Sequence, residues 1–475
     1  MSGAVQLGRS GVDRRLGVSA AGGFAAAGVA CGIKPSGELD LAVVVGPEGT
    51  VAAGVFTTNL VVAAPVVWSR ARLAASADAR VVVLNSGNAN ACTGPAGDAT
   101  VAATARRAAA ELCCRPEQVL VCSTGVIGVP LDAERIGDGI AKAAVALGLR
   151  GGQAVGALAG QAMGALTGQG DGQAAAEAIR TTDTVAKQAG VVLAGGVTVA
   201  GMAKGAAMLA PAMTPPAPLR AGVGGGREAP APHATMLAVL TTDAVCEPAA
   251  LQAGLAGAAD ATFNRITVDG AQSTNDTVLL LASGASGARP HPDDLADAVG
   301  AVCDDLAMQM LADAEGGTKV VSVHVGGAGT LAGALAVARR VADSPLVKAA
   351  VYGGDPNWGR ILQAAGTAGV PFDPAAVRLE IGGPAPAGPG AAPGDPSPGD
   401  PSHGDPSHGD PAPGDPTPPV LLVRGGVPTG ADAAAAMAGP QVRVRLHLGG
   451  PGPWGCVRTA DLTPEYVRLN SEYTT

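Results

Sequence analysis

The stretch Pro-His-Ala-Thr-Met-Leu at 232–237 places Thr235 between a loop rich in Pro and Gly and the apolar run 236–240. The hydroxyl of such a threonine can attack the carbonyl before it, here that of Ala234, and shift the acyl group from nitrogen to oxygen. Water then releases a new chain that begins at Thr235. Its α-amine has a pKa of about 8, some two units below that of a lysine, so one residue carries both nucleophile and general base. We therefore predict self-cleavage between Ala234 and Thr235, and catalysis by Thr235 that needs no His or Asp to complete a triad.

The residues on both sides of this stretch strengthen the prediction, because an Ala-Thr pair before an apolar run is by itself typical of a strand start. Upstream stands Gly-Met-Ala-Lys-Gly-Ala-Ala-Met-Leu-Ala-Pro-Ala-Met at 201–213, and downstream Met-Leu-Ala-Val-Leu-Thr-Thr-Asp-Ala at 236–244. Together they resemble the cleavage region of the bifunctional ornithine acetyltransferase/N-acetylglutamate synthase family, the ArgJ enzymes of arginine biosynthesis. The chain departs from the family pattern at Ala207, which replaces a glycine, and at 214–233, an inserted loop before the scissile bond.

The composition favours a globular enzyme that acts on small molecules. The chain has 475 residues, of which 47% are hydrophobic and only 2% aromatic, so its core must be built from small and β-branched side chains. A net charge of −9 argues against a nucleic-acid surface. The charge-free windows are too short, or too rich in Gly and Gln, to span a membrane. We predict neither nucleic acid nor a membrane as a partner.

The cysteines and the N-terminal charges bear on the compartment. Eight cysteines occur without a Cys-x-x-Cys pair or a zinc-like spacing, so we predict buried thiols in a reducing cytoplasm, with no metal and no bound cofactor. The pair Arg14-Arg15 resembles a twin-arginine signal, but the segment after it is Gly-rich and lacks a leucine core. We therefore expect a cytoplasmic protein.

Alternating apolar runs and turns predict an α/β protein. The runs 41–45, 50–57 and 61–67 predict two or three strands, and an Ala-rich helix follows over 97–112. A tight hairpin at Gly195-Gly196 joins strands at 191–193 and 197–199. Further strands are predicted at 80–84, 119–122, 235–241, 278–282 and 442–448.

The strand 119–122 delivers Thr124 and Gly125. A strand that ends in Thr-Gly can point a hydroxyl and a backbone N–H at one spot, which is what a developing oxyanion requires, although an ordinary turn has the same residues. The resemblance implies that Thr124 and Gly125 form the oxyanion hole.

The resemblance also implies a set of substrate-binding residues. At the mouth of a neutral pocket Lys204 could hold a carboxylate as a point charge, and the alternative is a solvated surface lysine. The residues around Glu315 leave open whether it neutralises the ammonium of ornithine or steers a proton. The implied substrate-binding residues are Thr181, Lys204, Thr235, Glu315, Asn470 and Thr475.

The fold implied by the resemblance is a layered α-β-β-α sandwich of the ornithine acetyltransferase/self-processing aminopeptidase type. It is cut into an α chain, 1–234, and a β chain, 235–475, that assemble as a heterotetramer. The implied reaction moves acetyl from N-acetylornithine to glutamate through an acetyl-threonine intermediate, and acetyl-CoA is a possible second donor. A hydrolase of the same fold, which would pass the acyl group to water, is the rival interpretation.

A second insertion, 383–419, is rich in Gly, Asp and Pro and contains five pentapeptides of the form Gly-Asp-Pro-x-x over 394–418. Such a sequence has too few apolar side chains to pack a core. We therefore expect activity to survive deletion of 394–418.

Overall fold

A computed structural model describes residues 11–148, 171–216, 235–382 and 419–472. The chain divides into two compact units, Met1–Glu315 with Arg468–Thr475, and Gly316–Val467. Nearly all of the two predicted insertions, together with Ala234 and Thr475, lies outside the described residues.

The first unit carries two sheets and the helices that cover them. Its elements are β1 (Ala25–Val29), β2 (Leu41–Val45), β3 (Val51–Thr57), α1 (Ala64–Ala75), β4 (Val81–Asn85), α2 (Gly94–Glu111), β5 (Val119–Ser123), α3 (Ala133–Ala146), α4 (Gly172–Ala178), β6 (Lys187–Val192), β7 (Thr198–Lys204), β8 (Met213–Thr214), β9 (Leu237–Thr242), α5 (Pro248–Ala261), β10 (Ile266–Thr267), β11 (Thr277–Ala282) and α6 (Pro292–Ala312).

Strand order within these sheets brings distant parts of the sequence together. One sheet has the order β1-β2-β4-β5, and the other has the order β6-β7-β9-β11-β3-β8. In the second sheet β9 pairs antiparallel with β7 and β11 pairs parallel with β9, so the strand that follows Thr235 lies in the interior of the sheet. A strand buried on both faces needs an almost continuous apolar sequence, and β9 has one.

The two sheets pack face to face, and helices cover both outer faces. Successive residues of β4 alternate between layers: Val82 and Leu84 join the core between the sheets with Phe56 of β3, whereas Val81 and Val83 face α2 and α3. Helices α5 and α6 pack against the other sheet, on β3 and on β6 and β7 respectively. The α/β class and its α-β-β-α layers are therefore confirmed.

Two of the three apolar runs form strands, as one of the two predicted counts has it, and the third run, 61–67, turns into α1 instead. Pro65 occupies the first turn of the helix, where its missing N–H costs nothing. The buried residues Val66, Ser69 and Leu73 follow the helical spacing that the short apolar run concealed.

The second unit is a sheet covered by helices. Its elements are β12 (Val320–Gly326), α7 (Leu331–Ala342), α8 (Pro345–Tyr352), α9 (Trp358–Ala365), β13 (Arg378–Ile381), β14 (Val420–Arg424), β15 (Val427–Pro428), α10 (Ala434–Met437), β16 (Gln441–His447), β17 (Gly455–Ala460) and α11 (Pro464–Glu472), whose last residues belong to the first unit. The sheet runs β17-β12-β16-β13-β14-β15.

The prediction that all cysteines are buried is wrong. Cys122 and Cys303 are buried, whereas Cys92 and Cys113 are exposed and the others are intermediate. A cysteine is small enough to sit in an exposed turn without disturbing the core, so sequence spacing alone does not reveal its burial. Among the described helices, none is both long and apolar enough to cross a bilayer.

Candidate active site

Thr235 lies just before β9 and is only 3% exposed. Its hydroxyl oxygen lies 2.8 Å from that of Ser273, in a hydrogen bond that either hydroxyl can donate. The Ser273 hydroxyl also accepts a hydrogen bond from the N–H of Asn275, at 3.1 Å. Because a backbone donor fixes Ser273, the rotamer of the Thr235 side chain is fixed in turn.

The run 273–276, directly before β11, binds two segments that lie far apart in the sequence. The side-chain amide of Asn275 donates to the carbonyls of Ala89, at 2.8 Å, and Ser123, at 2.9 Å. The Asp276 carboxylate accepts a hydrogen bond from the N–H of Met236 at 3.0 Å. One short run thus connects the segment of Thr235 to the end of β5.

Thr124 and Gly125 leave the end of β5 side by side. The Thr124 side chain is fully buried. Gly125 has a φ of +129°, and an added Cβ would come within 2.3 Å of the Gly87 carbonyl carbon, so only glycine fits there. Among the described residues, none accepts a hydrogen bond from the Gly125 N–H. This pair therefore offers the two donors that the sequence predicts.

Lys204, the last residue of β7, is fully buried, which excludes the alternative of a solvated surface lysine. Its ammonium donates to the hydroxyls of Thr181, at 2.7 Å, and Thr124, at 3.2 Å. It also lies 3.7 Å from a carboxylate oxygen of Asp183. Burial lowers the pKa of Lys204, and Asp183 opposes that shift.

Asp183 is the centre of a buried charge network. Its carboxylate accepts from the ammonium of Lys187 at 2.7 Å and from the N–H of Gly205 at 2.7 Å. Lys187 also donates to Asp313, at 2.5 Å. Burial alone would raise the pKa of Asp183, but Lys204 and Lys187 together hold it below its usual range. The network therefore keeps Asp183 ionised and Lys204 in place.

Glu315 and Asn470 are also brought together. The amide of Asn470 donates to the Glu315 carboxylate at 2.9 Å, and the N–H of Glu315 donates to the Ala206 carbonyl at 2.9 Å. The latter bond places Glu315 beside the segment that follows Lys204. Burial lowers the pKa of Lys204, and the negative charge of Glu315, like that of Asp183, opposes this shift.

Within the described ranges no cluster of three or more His, Cys, Asp or Glu side chains could hold a metal ion. A cavity of about 160 Å³ lies elsewhere, between α5 and α6, and its lining includes Leu251 and Leu295 but none of the predicted site residues.

The comparisons with known proteins agree with the motifs. A model of the ArgJ family matches residues 25–475. The chain belongs to the ArgJ family. A relative from Mycolicibacterium paratuberculosis, called arginine biosynthesis bifunctional protein ArgJ, is 41% identical over 97% of this chain and 97% of its own length. A relative of the same name from Streptomyces coelicolor is 46% identical over 78% of this chain and 85% of its own.

One solved structure is similar in sequence to part of this ArgJ chain. It is an ornithine acetyltransferase from Mycobacterium tuberculosis in complex with ornithine, 45% identical over 43% of this chain and 98% of its own, with a TM-score of 0.37.

Sequence reasoning on this ArgJ chain did not assign roles to Ser273, Asn275, Asp276 and Asp183. Two signals could have pointed to them. Four polar residues directly before the buried strand β11 are unusual unless they bind something, and a lone Asp between three threonines at 181–184 is a candidate counter-ion for a buried lysine.

Proposed function

We propose that this chain cuts itself between Ala234 and Thr235 and then transfers acetyl from N-acetylornithine to glutamate through an acetyl ester on Thr235. Family membership supports a role in arginine biosynthesis, since the curated relatives are named for it. The observation that carries the proposal is that the run 273–276 forms hydrogen bonds both to Thr235 and to the end of β5. Ser273 holds the Thr235 hydroxyl, and Asn275 holds the end of β5, which delivers Thr124.

The first half of the proposed reaction uses the groups that these contacts bring together. The Thr235 hydroxyl attacks the acetyl carbon, and its proton passes to the Thr235 α-amine. The carbonyl oxygen becomes negative and receives hydrogen bonds from the Thr124 hydroxyl and the Gly125 N–H. The α-ammonium then protonates the leaving nitrogen, the carbon–nitrogen bond breaks, and ornithine departs. The second half reverses these steps, with the amine of glutamate as the attacking group.

Lys204 supports the oxyanion role of Thr124. Since the ammonium of Lys204 donates to the Thr124 hydroxyl, that hydroxyl has one lone pair engaged and its own proton available for the substrate oxygen. Binding of a substrate carboxylate by Lys204 stays a prediction, as do the substrate-binding roles of Thr181, Glu315, Asn470 and Thr475.

Acetyl-CoA as a second donor is part of the proposal, because the relatives carry the name bifunctional. The decisive assay supplies N-acetylornithine or acetyl-CoA to the purified protein, with glutamate held constant, and follows N-acetylglutamate by mass spectrometry. Formation from N-acetylornithine is expected. Release of free acetate at a rate unaffected by glutamate would instead indicate the hydrolase. Thr235→Ala is the matched control and should give neither product.

Assembly and compartment are further parts of the proposal. We infer that the α chain, 1–234, and the β chain, 235–475, remain together as a heterotetramer, which light scattering of the purified protein would measure. The cytoplasm stays the predicted compartment.

A further inference from the structure

Asp276 has an oxygen with no partner among the described residues. The residue is fully buried, and its Oδ1 accepts the hydrogen bond from Met236, but no described residue bonds to Oδ2. A buried carboxylate oxygen without a hydrogen bond is costly, and such a group in a native structure calls for an explanation.

The backbone of the nucleophile lies directly beside this carboxylate. Three covalent bonds join the nitrogens of Thr235 and Met236, which keeps the two atoms within about 4 Å of each other. Since Oδ1 lies 3.0 Å from the Met236 nitrogen, the Thr235 nitrogen lies within about 7 Å of that oxygen. That nitrogen is an amide in the uncut chain and an amine, charged when protonated, in the cut chain.

We infer that Asp276 is a positioning residue for the nucleophile: in the cut chain its Oδ2 accepts a hydrogen bond from the α-ammonium of Thr235. The inference rests on the proposed function, because the ammonium exists only after cleavage. Asp276 stabilises the protonated amine that forms when the Thr235 hydroxyl attacks, and it directs the nitrogen toward that hydroxyl. No covalent bond to Asp276 forms or breaks.

The charged groups around Asp276 are consistent with a carboxylate that can accept a further cationic partner. Burial raises the pKa of Asp276 to about 7, while the N–H groups of Met236 and Ser273 lower it. Lys204 on β7 also lowers it, and Asp269, in the loop after β10, raises it. Lys204 itself interacts with the opposite charges of Asp183 and Glu315 and with the like charge of Lys187. A new ammonium at Thr235 would give Asp276 a counter-ion of its own.

The test compares Asp276→Asn with wild type and with Asp243→Asn. Asparagine can still accept the Met236 hydrogen bond, so the variant removes charge and keeps shape. Asp243 is a buried carboxylate away from Thr235 that accepts from the N–H groups of Gly22, at 3.0 Å, and Thr198, at 2.8 Å. It is therefore the matched control for loss of a buried charge.

The measurement is the pH dependence of kcat/KM for N-acetylornithine, in protein whose N-terminal sequence has been determined. A carboxylate close to an amine raises the pKa of the amine by about one to three units. Its removal should therefore move the acidic limb of the Asp276→Asn profile to lower pH by about one unit or more, with KM unchanged. Asp243→Asn should keep the wild-type limb, and Asp276→Glu, which restores a negative charge, should move it back toward wild type.

An acidic limb that stays in place or moves to higher pH in Asp276→Asn overturns the inference. An Asp276→Asn chain that folds with the wild-type Tm but remains uncut also overturns it, because Asp276 would then act in cleavage, before the α-amine of Thr235 exists. Labelling of the Thr235 α-amine by an acylating reagent as a function of pH gives its pKa without turnover and must show the same decrease. A wild-type chain that is never cut refutes the proposed function itself, and N-terminal sequencing identifies that case separately.

Discussion

The ammonium of Lys204 donates a hydrogen bond to the hydroxyl of Thr124 across 3.2 Å, although eighty positions separate the two residues in the chain. Lys204 is the last residue of β7, and Thr124 follows β5 in the other sheet of the same unit. A lysine predicted to bind substrate and a threonine predicted to bind the oxyanion are thus in direct contact. A substitution of one should therefore alter the hydrogen bonding of the other.

This contact predicts that Thr124 and Lys204 act as a pair. Thr124→Ala should lower kcat by about 10²–10³ with little change in KM, because the hydroxyl matters mainly in the tetrahedral state. Lys204→Met should also lower kcat, and the double variant should be little worse than Thr124→Ala alone. Steady-state kinetics of the four proteins measures the coupling. Additive losses in kcat would show that Lys204 acts independently of Thr124, as a substrate ligand.

Cleavage should depend on the hydroxyl of Thr235. Wild type should give two fragments of similar length, the second beginning at Thr235, whereas Thr235→Ala should remain one inactive chain. Thr235→Ser keeps the hydroxyl and should still cut. Ser273→Ala should slow the cut, because it removes the group that holds that hydroxyl at 2.8 Å. Intact-mass measurement and N-terminal sequencing give the result, and a second fragment with any other first residue contradicts the prediction.

Asp183 should contribute strongly to stability. Asp183→Asn removes the negative charge between Lys204 and Lys187, two fully buried cations, and should cost about 3–5 kcal/mol in the free energy of unfolding. The control is Arg14→Ala, which breaks the pair with Asp305 at 2.8 Å. Because Arg14 is largely exposed, that loss should be about 1 kcal/mol or less. Urea unfolding measures both, and equal losses would contradict the argument.

Glu315→Gln separates the two roles left open for this carboxylate. If Glu315 neutralises the ammonium of ornithine, KM for N-acetylornithine rises and kcat changes little; if it steers a proton, kcat falls and its pH profile changes. We expect the first outcome, because the hydrogen bond from Asn470 holds the Glu315 carboxylate in one orientation, as binding of a substrate ammonium requires. Asn470→Ala should then raise the same KM.

The sequence predicts the parts of the molecule that depend on local pattern. Alternating and continuous apolar runs located most strands of the two sheets of the first unit, and the motifs placed Thr124 and Gly125 at the end of β5. The prediction failed at 61–67, where four valines suggested a strand although Pro65 and helical burial spacing favoured α1. In this segment the packing of the helix outweighed the strand propensity of the valines.

Contacts that span long sequence separations could not be predicted in this way. Asn275 reaches Ser123 across 152 positions, and Lys187 reaches Asp313 across 126. Neither pair has a local signature, because each partner alone is an ordinary polar residue beside a strand. Only the strand order reveals that a polar run before β11 faces the nucleophile.

The order β6-β7-β9-β11-β3-β8 has a consequence for the proposed cleavage before Thr235. Two strands that follow Thr235, β9 and β11, lie between β7 and β3, which both precede it, so backbone hydrogen bonds join the new fragments along both sides. Unfolding would release two separate polypeptides, and refolding would change from a unimolecular to a bimolecular process that depends on protein concentration. After one cycle of heating and cooling, Thr235→Ala should recover its sheet more completely than wild type in dilute solution.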